Sequence, residues 1–597
     1  MSYSHVTTWA PAPRTVRGGT SRITYHPKEN KIAYANNRSI ILRDVAHPDQ
    51  CFQYVGHTAA TTVARFSPSG FYVASGDAHG NVRIWDCVGE EHILKSSFEV
   101  LSGPIHDVDW DGESQRLIAV GEGKERFGHA FSADTGNTIG EIFGHSSVIN
   151  AVTMKQNRPL RAVTASDDQS VNFFFGVPYK FNRSLRTHTK FVFDVRYSPN
   201  DDYFASVGAD GKLFLYDGKT GDVSKEINAH KGSIFAVSWS PDSTQIVTAS
   251  ADHTVKLWDF ASGELVREWI FSETASLDKQ QVGIVWANDT IISVSMDGTL
   301  TYLKPDSNDP IRSIIGHQRS ITASAFSADK SQLFTASYDG KILSWDIEKQ
   351  LAQELDGSSH TNQVMQMINV GNNVVSIGMD DTLRAIDANT RTFIGDVYAT
   401  GFQPVGLCEV NKAIVLVTVA DIQILRNFKR LATAKTVYQP SAIAAHPTKH
   451  EFSIGGSDSV VYVHSLENDE ICETTKCKES QHPITCLSYS PDGKYLACGD
   501  SSGKVVLYDA NTYELITSRW AFHTGRIASM AWHPDCKHLA TASLDTNVHI
   551  YSVERPMKYI GLKNIHALGA SQVQWLSKTE LFTMGSDATV QKWDITF

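Results

Sequence analysis

Histidine, serine and aspartate recur together along this chain at spacings that a hydrolase could use. His230, Ser250, Asp252 and then Trp258 fall within one short stretch, and His317, Ser337, Asp339 and Trp345 repeat it with the same gaps. A serine polarised by histidine, itself held by aspartate, is the nucleophile of acyl-transfer chemistry. A catalytic set occurs once in a chain, however, and this one returns repeatedly. The recurrence argues for a structural role and against an enzyme. No irregular stretch supplies a unique acid or nucleophile.

The elements that carry these residues form an internal repeat. Thr248–Asp259 reappears as Thr335–Asp346, Thr541–Ser552 and Thr583–Asp594. Weaker copies end near Asp44, Asp86, Asp134, Gly176, Asp217, Lys304, Asp387, Asn427, Ser465 and Asp509. The fourteen copies between Asp44 and Asp594 therefore recur about every 42 residues. Within each, apolar residues alternate with polar ones, as Val255 and Leu257 do around Lys256, which predicts short antiparallel strands. Asp-Gly, Asp-His and Ser-Pro pairs punctuate them as turns.

The period, together with Gly-His openings (Gly56-His57, Gly144-His145, Gly316-His317) and Trp-Asp endings, resembles the WD repeat. That resemblance implies that one repeat is one four-stranded propeller blade, and that His230, Ser250, Asp252 and Trp258, like His317, Ser337, Asp339 and Trp345, form a hydrogen-bonded tetrad inside their blade. Fourteen blades exceed what a single ring accommodates, so the expectation is all-β, with two tandem seven-bladed WD-repeat β-propellers. The boundary is expected at His317, giving residues 13–317 and 318–597. The final blade ends after its third strand, and Tyr3–Trp9 could complete it and tie the N-terminus to the second ring.

Bulk properties agree with a binding protein. With 597 residues, 41% apolar and 20% charged, the chain is long enough for two large cores, and its net charge of -11 opposes a sequence-independent grip on nucleic acid. No run of 18 apolar residues suggests a membrane span. Four of the eight cysteines lie between Cys472 and Cys498, without the paired spacing of a zinc site. A cytoplasmic protein with no metal and no cofactor is expected.

Special surfaces should appear where the repeat is irregular. The third copy, Val120–Phe131, crowds Glu122, Lys124, Glu125 and Arg126 into one turn. Its glycines lack the Gly-Lys-Ser/Thr ending of a phosphate loop. The fourth copy carries Ser166-Asp167-Asp168 and then Phe173–Phe181; the fifth opens with Arg186–Phe193. Phe173–Phe175 read as core. Lys180-Phe181 and Lys190-Phe191 place an aromatic beside a cation next to turns, a pairing typical of interface anchors. The tenth copy, around Val419–Asn427, has lost its motif, which reads as drift.

Gly121–Gly128, Ser166–Asp168, Gly176–Phe181 and His188–Val192, with Phe66–Gly70 and Ala251–Asp259, resemble the actin-interacting protein 1 family over the whole chain. That resemblance implies a protein that binds cofilin-decorated actin filaments, speeds their severing and disassembly, and limits regrowth at filament ends. It implies an actin–cofilin surface on blades three to five, at Glu125, Asp167, Lys180, Phe181 and Phe191, with Asp168 beside them. A monomer at cortical actin structures in the cytoplasm would follow. The competing expectation is a general WD-repeat scaffold or adaptor unrelated to actin, since fold alone does not fix function.

Overall fold

The computed structural model describes residues 2–89 and 91–597. Among them every helix-or-strand element is a strand, and the strands form fourteen four-stranded antiparallel sheets. Each sheet corresponds to one repeat copy. Numbered along the chain, blade one spans Ile23–Tyr54, blade six Ile234–Ile270, and blade thirteen Ile527–Leu562.

Blade six shows why the sequence takes this form. Its second strand, Gln245–Ser250, is buried on both faces because a neighbouring sheet covers each side, and it is correspondingly apolar. Its outer strand, Leu265–Ile270, is largely exposed and reads Leu-Val-Arg-Glu-Trp-Ile. The core lies between successive blades. Leu213 and Leu215 of blade five, for example, pack with Val237, Trp239, Ile246 and Trp258 of blade six.

Polar contacts set the spacing between sheets. A tryptophan ending the first strand donates its indole N–H to the preceding blade: Trp110 to Arg65 O (3.1 Å), Trp239 to Arg196 O (3.0 Å) and Trp532 to Ser488 O (3.1 Å). The turn that follows uses two chemistries. At Ser-Pro turns the hydroxyl accepts a backbone N–H five residues on, as Ser240 does from Gln245. At His-Pro turns the imidazole reaches the next blade through Nε2, from His26 to Gly70 O, His446 to Gly493 O and His533 to Lys578 O.

The chain divides into two compact units. Pro11–Gln318 form one, and Arg319–Phe597 together with the N-terminal segment to Ala10 form the other. In the first unit, blades one to seven close a ring where Arg312 donates to Ala46 O (3.2 Å). In the second, blades eight to fourteen close where Ser320 donates to Ser586 O (2.9 Å) and Lys330 to Leu576 O (2.8 Å). Blade fourteen takes its outer strand from the N-terminus: Ser2–Trp9 pairs antiparallel with Val590–Thr596, from Ser2↔Thr596 to Trp9↔Val590. Trp9 is buried, stacking on Trp345 at 5.0 Å and packing on Phe582.

Candidate functional site

The tetrads are relays of hydrogen bonds inside single blades. In blade six, Trp258 Nε1–H donates to Thr248 Oγ1 (3.0 Å), Thr248 lies 2.8 Å from His230 Nε2, and His230 Nδ1 lies 3.0 Å from Asp252. Burial pushes the His230 pKa down, so a neutral ring that accepts at Nε2 and donates from Nδ1 satisfies every link. Although burial alone would raise it, the His230 contact holds the Asp252 carboxyl well below the usual carboxylate range.

The hydroxyl differs from the one the sequence suggested. Ser250 is not the tetrad member; Thr248 is. Trp258 stands opposite Ile246 in the ladder, so Thr248 is its diagonal neighbour, while Ser250 lies two residues further along. Ser250 instead caps the turn, donating to Ser233 O (2.9 Å) and accepting the Asp252 N–H (3.2 Å). Likewise Trp345 donates to Thr335 (2.7 Å) rather than Ser337, whose hydroxyl turns to Asp339. The ten-residue interval from hydroxyl to tryptophan also holds for Ser75–Trp85 and Thr583–Trp593. The hydroxyls Thr248, Ser250, Thr335 and Ser337 are buried and hydrogen-bonded within their blades. Blade ten, whose motif is lost, builds a substitute: Thr418 and Gln423 hold Asp421, and Gln423 also donates to Thr400 O (2.8 Å).

Sequence reasoning missed a charge network on the axis of the first ring. Arg22, 6% exposed, donates to Asp194 (2.6 Å) and to the carbonyls of Asn150 (2.7 Å) and Phe193 (3.1 Å). Arg65 donates to Asp107 (3.0 Å), and Arg196 lies 2.8 Å from Asp107 and 3.0 Å from Asp194. Burial opposes ionisation of Asp107, yet Arg196, Arg22 and Arg65 together hold its carboxyl well below the usual range. The signal was present as charges at inward positions of first strands, in Thr-Val-Ala-Arg65 and Ile-His-Asp107. Above the network a cavity of about 420 Å³ opens, lined by Arg17, Gly18, Gly19, Glu122, Asp167, Phe191 and Phe193.

The structure sorts the candidate binding residues into groups. Asp167 and Phe191 both line that cavity mouth; Asp167 accepts from Asn150 Nδ2 (2.6 Å), and Phe191 is 50% exposed. Glu125 is exposed on the loop joining the second and third strands of blade three, equivalent to the blade-four turn that carries Asp167. Arg126 ties that loop down by donating to Val100 O (3.0 Å). Lys180 and Phe181 begin the outer strand of blade four, away from the axis. Phe181 is 46% exposed; its ring lies edge-on to Phe174 and over Gly144, where an added Cβ would approach to 2.8 Å. Asp168 is set apart from these. It binds His145 Nδ1 (2.9 Å), the Ser146 N–H (2.9 Å) and Ser170 (2.6 Å), which makes it the blade-four tetrad acid, with its oxygens committed inside the blade. Phe173 and Phe174 are wholly buried, whereas Phe175 is 42% exposed under the Arg161 guanidinium, which corrects its reading as core.

Two groups place metal-ligating atoms close together: His523, Asp545 and His549, and His533, Asp535 and His538. Both have structural employment. His523 links Thr541 to Asp545 as a tetrad histidine, and His549 occupies the strand position of Lys256 in blade six, its pKa pushed down to about 4 by burial and by His523. His533 accepts the Asp535 N–H at Nδ1 (3.1 Å) and contacts Lys578 O through Nε2 (2.8 Å).

Comparison with known proteins gives a consistent picture. The WD domain, G-beta repeat family matches residues 49–86, 179–217, 221–259, 308–346 and 515–552. An uncharacterized WD repeat-containing protein of Schizosaccharomyces pombe is 63% identical over the full length of both chains. A protein named actin-interacting protein 1 from Drosophila melanogaster is 37% identical, covering all of this chain and 98% of its own. Its namesake from Caenorhabditis elegans is 36% identical over the full length of both.

Proposed function

The chain belongs to the actin-interacting protein 1 family, and from that premise we propose that it binds cofilin-decorated actin filaments and promotes their disassembly. Full-length likeness to proteins named for interacting with actin carries this reading, because it spans both rings rather than one repeat. Binding runs through blades three to five of the first ring. Phe181 and Phe191 are half-exposed aromatics on rigid strand starts and turns, suited to anchoring an interface, while Glu125, Asp167 and Lys180 orient it. No covalent chemistry is required. Tighter binding to a distorted filament than to a regular one shifts the equilibrium toward breakage, and occupation of filament ends limits regrowth. The protein works as a cytoplasmic monomer at cortical actin.

Co-sedimentation of the purified protein with actin filaments, with and without cofilin, tests this. Cofilin-dependent pelleting or filament loss, abolished by Lys180→Ala/Phe181→Ala in a protein that melts normally, is the expected result. No effect on filaments in the presence of cofilin would overturn it and favour a scaffold unrelated to actin.

A further inference from the structure

Blade ten carries an exposed strip that neither the tetrads nor the surface of blades three to five uses. Its outer strand, Lys429–Lys435, reads Lys-Arg-Leu-Ala-Thr-Ala-Lys and lies at the end of its sheet. Ala432 and Ala434 turn partly inward, so Leu431, Thr433, Lys435 and, beyond the strand, Val437 face solvent. A bulge at Leu431, between the Leu425↔Arg430 and Ile424↔Ala432 pairs, interrupts the alternation, and Lys429 and Arg430 before it are both exposed. Leu431 is 50% exposed and Val437 93%. From Asp421 to Lys435 the sequence holds four cations and one carboxylate, within a chain of net charge -11. The carboxylate, Asp421, is buried and bound by Thr418 and Gln423. Arg426 pairs with Asp469 (3.1 Å). Among the described residues, no ion pair or hydrogen bond engages the side chains of Lys429, Arg430 or Lys435.

We propose that this strip receives an acidic, extended segment of a partner protein, added as a fifth strand along the outer edge of blade ten. An edge strand presents unpaired backbone N–H and C=O groups, and an added strand satisfies them while its side chains meet the host's in register. Carboxylates on such a segment face Lys435 and, across the bulge, Lys429 and Arg430. Three unpaired cations on one strand favour this pairing and penalise a basic or neutral segment. A lipid surface fits less well, because the basic face is one strand wide and the outer strand of blade eleven beside it exposes Glu470 and Glu473. This assignment is independent of the filament surface on the first ring.

The test titrates full-length protein with a fluorescein-labelled peptide alternating Glu and Val. Controls are the Lys-Val counterpart and a version with Pro at the Val positions, which cannot donate backbone hydrogen bonds. Saturable, salt-sensitive binding is expected, weakened about tenfold or more by Lys429→Glu/Arg430→Glu/Lys435→Glu. The Pro and Lys peptides should not bind, and amides within 429–435 should gain protection from hydrogen exchange. If charge reversal lowers the melting temperature, Lys429→Gln/Lys435→Gln reads the same contacts. Absence of binding, binding indifferent to these substitutions, or equal binding of the Pro peptide overturns the assignment. So does capture by phosphatidylserine vesicles with the same charge dependence while the peptide stays free.

Discussion

The axes of the two rings are built from opposite chemistry on the same scaffold. In the first ring, first strands present Arg65, Asp107, Asp194 and Arg196 inward, and Arg22 enters as a fifth charge. In the second, the equivalent channel of about 500 Å³ is lined by Thr322, Ser324, Gln366, Met530 and Gln572. There Gln572 donates to Thr322 O (2.9 Å), and Gln366 accepts the Leu407 N–H (2.8 Å). Strand pairing and blade packing therefore tolerate either solution. What changes is what failure costs, because a buried charge left without its partner is more expensive than a buried amide left short of one bond.

The sharpest way to break this comparison is to remove its central members. Arg22→Met leaves Asp194 and Asp107 short of a guanidinium and should destabilise the first ring by about 3–5 kcal/mol. Gln572→Ala in the second ring should cost about 1 kcal/mol. Native-state hydrogen exchange, which reports each ring separately, would show the asymmetry; equal losses would refute it. The tetrads, by contrast, are shared and should behave alike in both rings. Thr248→Val in the first ring and Thr583→Val in the second each strand a buried indole N–H and a histidine, for about 2–3 kcal/mol by thermal or chemical unfolding. Ser250→Ala should cost less than Thr248→Val, since it removes a turn cap rather than the centre of a relay; the reverse order would restore Ser250 as the tetrad hydroxyl.

Acid separates the rings again. Burial lowers the pKa of His230 and His360 in the folded state, so the unfolded chain binds their protons more readily. Their contribution is intact above an unfolded histidine pKa of about 6.5 and declines as pH falls below it, in both rings. Carboxylates with depressed folded pKa values, such as Asp545 at about 2 and Asp107, contribute above about pH 4 and lose that contribution as pH falls through their folded values. Because only the first axis adds Asp107, its exchange protection should fall more steeply below about pH 4 than that of the second ring. The smallest expected effect is on stability at the binding surface: Phe181→Ala and Phe191→Ala remove half-exposed rings and should shift stability by about 0.5–1 kcal/mol at most.

The fold was legible because repetition amplifies weak signals. A single Thr-Ala-Ser-x-Asp stretch says little, but fourteen copies of the repeat, strong and weak, fix strand number, turn position and blade count. Within a blade, diagonal neighbours are invisible to a one-dimensional spacing, which is why Ser250 and Ser337 stood in for Thr248 and Thr335. Asp168 drew attention as one of two adjacent acids, and only the fold shows that it faces His145 while Asp167 faces the channel. The Arg22 network escaped for a related reason: its members come from segments up to 174 residues apart, from Arg22 to Arg196, and no local pattern joins them. Phe181 and Phe191 could be singled out as loop-side aromatics, but their placement, on a blade's flank and at the channel mouth respectively, comes from the three-dimensional arrangement.

The most direct test of the account compares the rings as binding surfaces. Wild type, Lys180→Ala/Phe181→Ala/Phe191→Ala in the first ring, and Phe402→Ala/Val437→Ala at exposed positions of the second would be co-sedimented with cofilin-decorated actin filaments at matched folded concentration. Loss of pelleting in the first-ring variant, with the second-ring variant close to wild type, is the predicted result. Full pelleting of the first-ring variant would contradict the account.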